Sequence, residues 1–387
     1  MPTTVAVKPE LIRWAIGRSG LTKDDLGKFS FEKWEKGEKQ PTLRQLEAFA
    51  RQTMTPLGYL FLSAPPEETL PIPDFRTMGD APVRHPSPNL IETVQTMQRR
   101  QAWMRDYLIE QGHLGLPFIG SLKQQPWDVE TGAERIRETL ELTENWASGC
   151  STWEDALLAL RKAAEDAGVL VSASGVVGLS NRRKLDPEEF RGFVLCDDYA
   201  PLIFVNSADT KSAQMFTMAH ELAHLWLGRG GLFNLVRLQP YDDEGEKYCN
   251  RVAAEFLIPR KKLAARWPEV RDAENRYQTI ARWFKVSPLV AARRVLDLKL
   301  ITKTAFFLFY NQQQDEWQQQ KAQDKKRKGG DFYRTLYVRL GHRFTHAVVC
   351  AAREGRLSYR EAYQLTGLNG NTFDEYATRV MTRMRNG

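Results

Sequence analysis

The chain has 387 residues, 42% hydrophobic and 27% charged, which is enough for two or three packed domains and too balanced for a fibrous or wholly disordered protein. Its formal charge is +7, and residues 302–387 hold 15 Lys/Arg against 8 Asp/Glu, so the basic excess resides in the carboxyl-terminal part. Four cysteines (Cys150, Cys196, Cys249, Cys350) with no CxxC pair argue against a disulfide framework or a thiolate zinc site. No run of about 18 apolar residues and no signal-peptide pattern at the start are present, so a cytoplasmic protein without a membrane span is expected.

In chain order, short amphipathic helices are expected at Pro9–Arg18, around Lys23–Lys28 and from Thr42, where Gln45 three residues on completes a capping-box pattern. Residues 56–88 contain eight of the nineteen prolines and should run extended. Helical periodicity follows at about 90–111, 131–142 and 152–167. It then changes to strand-like runs at 168–175, 190–197 and 200–206. A helix is expected from Asp209 to Leu227, then a loop with Gly228, Gly230 and Gly231, then a helix from Glu244 to Ile258 stopped by Pro259. Residues 270–300 and 331–380 read as helical, with a polar linker between them at 311–330.

The helix at 209–227 is the most informative segment. Its polar residues near the end, Thr217, His220, Glu221 and His224, form one narrow stripe on an otherwise apolar helix, and burying such groups without partners costs several kcal/mol. His220 and His224, four residues apart, lie on one face and can reach one ion together. Glu221 projects beside them, where a general base for a metal-activated water must stand. His342 and His346 share the same spacing, but no glutamate follows His342, and those two read as helix residues or partner contacts.

Two histidines leave the site short of one protein ligand. Asp242, Asp243, Glu244, Glu246 and Glu255 are the candidates on the following helix. Glu246 is preferred because Asn250, four residues on, shares its face and can orient it. Glu244 is its main rival, and a first-turn glutamate that only serves the helix dipole is the plainer alternative. An oxyanion-stabilising group is required as well. Tyr241 and Tyr248 are near in sequence, and each reads better as structural.

HELAH followed by EKYCNRVAAEFLIP resembles the zinc peptidases of the ImmA/IrrE family, whose second motif has glutamate, then Ala-Asn, then an apolar stretch ending in Leu-x-x-Pro. Cys249 stands where that motif has alanine and Ile258 where it has methionine. The resemblance covers about residues 150–300. It implies an α+β fold: a zincin-like peptidase domain with a small sheet packed on the HExxH helix, flanked by all-helical amino- and carboxyl-terminal regions. It also implies one zinc per chain, held by His220, His224 and Glu246 with Glu221 as base, and limited proteolysis of a repressor protein. A second reading supported by the same resemblance is an antitoxin-like protein that binds a toxin or operator DNA, and a third is a repressor with a vestigial peptidase.

The segment KWEKGEKQPTLRQLEAFA (33–50) resembles the second half of an Xre-type helix-turn-helix. Only twelve residues separate Leu21 from Trp34, too few for a full scaffold helix, turn and reading helix, so the module is either a DNA reader or a truncated, protein-docking remnant. Residues 277–301 have the order of a helix, a short turn and a second helix, with a winged-helix-like module and a hairpin packed on the peptidase core as the two readings. The expected organisation is therefore 1–60 Xre-like, 61–130 proline-rich linker and helical arm, 131–260 peptidase, 261–310 helical, 311–330 polar linker and 331–387 basic helical. The expected partners are a protein substrate, such as a repressor or a toxin–antitoxin partner, and DNA.

Overall fold

The computed structural model describes residues 4–22, 24–72, 86–124, 128–233, 243–321 and 331–386. The chain divides into two compact units, one of residues 1–71 and 80–96, the other of residues 72–79 and 97–387.

The first unit contains α1 (Pro9–Ser19), a 3-10 turn at Asp24–Leu26, the five-residue α2 (Phe31–Glu35), α3 (Leu43–Gln52) and a 3-10 turn at Leu57–Phe61. Pro9 opens α1 at a position where its missing N–H is no loss, and Gly20 closes it in the left-handed conformation. The capping box at the start of α3 forms: the Thr42 side chain accepts from the Gln45 backbone N–H, and Gln45 accepts from the Thr42 N–H at 2.9 Å. Leu11, Ile12, Trp34, Leu46 and Phe49 close a small core. Where a full scaffold helix would stand there is a single 3-10 turn, because Asp24 and Asp25 are followed by only one apolar residue before Gly27.

Further along the chain come α4 (Pro88–Glu110), α5 (Val129–Thr139) and α6 (Trp153–Asp166). A sheet of four strands follows: β1 (Leu170–Ser174), β2 (Gly192–Leu195), β3 (Leu202–Asn206) and β4 (Gly231–Phe233), in the order β1-β3-β2-β4. β1 and β3 are parallel, with Leu170 opposite Leu202; β2 runs antiparallel to both β3 and β4. Every residue of β1, β2 and β3 is buried, which is why β2 and most of β3 read as continuous apolar runs, while the buried Ser172 and Ser174 interrupt β1. β4 corrects the expectation of a plain glycine loop after Leu227: Phe193 pairs with Leu232, and Gly231 fits beside Val194.

The helix α7 (Lys211–Leu227) lies between β3 and β4 in sequence and packs on β2 and β3. Its start is capped by Thr210, which accepts from the Ala213 N–H, and its end by Gly228 at φ +65°. α8 (Glu244–Leu257) crosses α7 and packs on α5. Next come α9 (Arg260–Arg266), α10 (Arg276–Phe284) and α11 (Pro288–Asp297). Ile280, Phe284, Val286, Ala291 and Val295 of this pair enter the same core as α7 and α8, and Arg294 donates to the Ile258 carbonyl at 3.1 Å. Residues 277–301 are thus a hairpin integral to this core, the plainer of the two readings. α12 (Lys303–Lys321) continues through the glutamine run expected as linker as far as Lys321, since glutamine is a good helix former. The remaining helices are α13 (Phe332–Leu340), α14 (His342–Arg353), α15 (Tyr359–Thr366) and α16 (Gly370–Asn386).

Both α13 and α14 lean on β1. Ser172 Oγ donates to the Arg339 carbonyl at 2.5 Å, and the Glu165 carboxylate at the end of α6 accepts from the His342 N–H at the start of α14, also at 2.5 Å. The architecture is mixed α+β, with the small sheet packed on the helix that carries the histidines and helical regions on either side in sequence. No described helix is long and apolar enough to cross a membrane.

Candidate metal centre

The polar stripe of α7 is buried along its length: Thr217 is 1% exposed, and His220, Glu221 and His224 are 0%. Two features of the sequence produce this. The apolar residues Met215, Met218, Leu222, Leu225 and Trp226 cover the rest of the helix, and α8 packs against α7 with Cys249 and Ala253 buried on the face that carries Glu246. Phe118 stacks on Trp226 at 4.5 Å between ring centres.

Glu246 completes the group. It is 2% exposed; its carboxylate lies 3.4 Å from His220 Nε2 and 3.3 Å from His224 Nε2, and the two Nε2 atoms are 2.9 Å apart. These three residues form the cluster of potential metal ligands found among the described residues. A tetrahedral zinc with ligands at about 2.0–2.1 Å would separate them by about 3.3–3.4 Å, so the observed triangle fits that ion with small adjustments.

Asp243 places Glu246 there. It caps α8, accepting from the Gly245 N–H at 2.6 Å, and it pairs with Arg229, just past the end of α7, at 3.0 Å. Glu246 is then the third residue of the helix, where a glutamate commonly turns back to its own cap. Instead it faces the two imidazoles. Gly245 allows this arrangement, since a Cβ there would fall 2.1 Å from Arg229 Nη1.

The charge states suit a cation. Burial pushes the His224 imidazole down to about 4, outweighing the nearby Glu246 carboxylate. Burial would raise Glu246, but hydrogen bonds from His220 and His224 overcome it and hold the carboxyl at about 2. A neutral His224 and an ionised carboxylate are what a divalent ion requires of its ligands. Glu221 differs. Burial first, and the Glu246 charge second, push its carboxyl well above the usual range. Neither Glu221 oxygen has a hydrogen-bond partner among the described residues, although both are fully buried. A buried, unbonded carboxylate beside two histidines and a second carboxylate is costly unless a cation balances it. The residues present therefore fit zinc.

Glu221 is held against β2. A Cβ on Gly192 would come 2.6 Å from Thr217 Cγ2, 2.8 Å from the Phe204 carbonyl oxygen and 3.3 Å from Glu221 Oε1, so the helix and strand approach as closely as glycine permits.

Residues 164–296 match the family model of the IrrE N-terminal-like domain (Peptidase M78). That match spans β1 through α11 and contains all four residues of the centre. Residues 340–379 match a domain of unknown function (DUF8813). No curated protein matches the chain.

The other acidic candidates have different roles. Glu244 is exposed and pairs with Lys247 at 2.8 Å. Glu255, nine residues past Glu246 and so about half a revolution around the helix, is buried on the far side, where it pairs with Arg294 and accepts from the Arg260 N–H at 3.0 Å. Asp242 and Tyr241 lie outside the described residues. Asn250, expected to orient a ligand, is half-buried and makes no hydrogen bond to His220, His224 or Glu246 among the described residues. Tyr248 is structural: its hydroxyl donates to the Asp128 carbonyl at 3.3 Å and rests on Gly132, where a Cβ would come within 2.2 Å. Cys249 is fully buried, its thiol pushed well above the ordinary value by burial first and by the Glu246 and Glu221 charges, and it is not one of the three residues whose ligand atoms converge. His342 and His346 lie with tilted rings 4.1 Å apart in α14, and no third ligand joins them among the described residues. Sequence reasoning did not single out Gly192, Arg229 or Gly245, whose importance arises only from what α7, α8 and β2 place against them.

Proposed function

We propose that this chain is a zinc-dependent regulatory endopeptidase that cleaves a repressor or a similar DNA-binding partner protein. The observation that carries this reading is the convergence of His220, His224 and Glu246 within 3.4 Å of one another, with the unbonded Glu221 carboxylate alongside. Zinc held by these three residues would supply a bound water with a pKa near 7 and a polarised substrate carbonyl. Glu221, whose carboxyl burial pushes above the usual carboxylate range, would be the proton carrier, taking a proton from that water and passing it to the departing amine. His220 and His224 are held by the helix and Glu246 by its cap, so the constellation needs little rearrangement to act. The match of residues 164–296 to a peptidase family supports the same chemistry. In this reading the first unit and the basic carboxyl-terminal helices choose the target, and an adjacent repressor or toxin–antitoxin partner is the kind of protein they would select.

The test is Glu221→Gln, a change of one atom type in a residue that is not a ligand. Zinc content should remain at about one per chain, measured by elemental analysis. New protein amino termini seen in cells expressing the wild type should be absent from cells expressing the variant. Identical sets of new termini from both proteins, at equal expression, would overturn the proteolytic reading and favour a binding role such as that of an antitoxin.

A further inference from the structure

We propose that the cleft between α13 and α16 binds the phosphate backbone of a nucleic acid. It is an open cavity of about 290 Å³ whose lining includes Tyr333, Arg334, Tyr337, Arg379, Arg383 and Asp331. Three guanidiniums face one carboxylate there, and that carboxylate is already engaged as the cap of α13, accepting from the Arg334 N–H at 2.9 Å. Arg379 also pairs with Glu375 at 3.4 Å, but Arg334 and Arg383 form no ion pair among the described residues. Asp331 and Glu375 thus set two negative charges against three guanidiniums, which leaves the cleft a surplus of one positive charge.

The arginines are also held in place. The Arg379 guanidinium lies 4.1 Å from the centre of the Tyr333 ring, and that of Arg383 lies 5.0 Å from the centre of Tyr337. Tyr333 is fixed in turn by a hydrogen bond to Glu375 at 2.6 Å and by stacking on Tyr376. Stacked guanidiniums lose little freedom on binding and present their N–H edges outward in the fork geometry that fits phosphate oxygens. Arg379 and Arg383 are four residues apart, so they form a row along one face of α16, with Arg334 contributed by α13. A row of forks suits a repeating diester. Because arginine already lies over Tyr333 and Tyr337, those rings offer bases little stacking surface, and the recognition is of backbone rather than sequence. This site does not depend on the peptidase reading.

The experiment is fluorescence anisotropy of a labelled, mixed-sequence single strand with the full-length protein across a salt series. The wild type should bind with an affinity that falls as salt rises. Arg334→Gln should lower the slope of log affinity against log salt by about 0.7, and Arg379→Gln/Arg383→Gln by about 1.4, with at least about a tenfold weaker affinity at low salt. The Arg334 side chain makes no hydrogen bond or ion pair among the described residues, so its replacement tests the charge without loosening the helix. No measurable binding by the wild type, or slopes unchanged in both variants, would overturn the proposal. So would polyglutamate competing as well as the unlabelled strand, which would assign the cleft to an acidic protein.

Discussion

Gly192→Ala is the sharpest test of how β2 and α7 fit together. The added methyl would stand 2.6 Å from Thr217 Cγ2 and 2.8 Å from the Phe204 carbonyl oxygen, both well inside normal contact. Thr217 lies on α7, and Phe204 is the backbone of the paired strand, so neither can rotate away cheaply. Overpacking of this kind costs about 1–3 kcal/mol, and this site should fall in the upper half of that range because two contacts are violated together. At about 2–4 °C per kcal/mol for a body of this size, thermal unfolding should move down by roughly 4–12 °C. Thr217→Ser removes one of the two clashing atoms and leaves the backbone oxygen, so the double variant should recover part of the loss. A coupling of about 0.5–3 kcal/mol is then expected in the double-mutant cycle. Glu221 Oε1 lies 3.3 Å from the same methyl, so cleavage activity should fall more than zinc content does. A Gly192→Ala protein as stable as the wild type, with no coupling to Thr217, would refute the close approach of helix and strand.

Other substitutions separate residues that look alike in sequence. Glu246→Ala should abolish stoichiometric zinc binding, whereas Glu255→Ala should keep the zinc and lose about 3–5 kcal/mol of stability, because it strands a buried Arg294. Chemical denaturation and metal analysis of the two variants check both halves. His220→Ala should behave as Glu246→Ala does, and full zinc occupancy in it would remove the site assignment. Glu165 supplies a pH prediction: burial raises its carboxyl to about 7 from an ordinary 4.5, so the folded state binds the proton more tightly than the unfolded one. Its contribution is therefore fully present below pH 4.5 and is lost as pH rises through about 7. Glu165→Gln, which keeps an acceptor for the His342 N–H, should flatten the stability profile across that window in melts taken at a series of pH values.

Much of the centre was legible without coordinates because it depends on local geometry. The spacing of His220 and His224 puts two ligands on one side of any helix, and the apolar residues around them mark that helix as buried. The capping pattern at Thr42 and Gln45 and the stop at Pro259 are equally local, so those boundaries fall where the sequence places them. Strands β1 to β3 were visible as short strand-like runs bounded by turn residues. β4 was not, since three residues beside glycine become a strand only because β2 offers its edge.

The choice of Glu246 among five acidic candidates needed both the amphipathic pattern of α8 and its crossing of α7. Sequence could place Glu246 and Asn250 on one face of a helix; only the packed structure shows that this face meets the histidines, that Asp243 spends its charge on the cap, and that Glu255 turns to Arg294. The arginine cleft is further still from sequence reach, because Tyr333 and Arg379 are 46 positions apart and meet only when α13 and α16 pack. Sequence alone thus determined which chemistry one helix could carry, since side chains one turn apart must share a face. Tertiary structure decided which distant residues complete that chemistry, since the burial that makes an unpaired charge costly, and so selects its partner, exists only after the elements have packed.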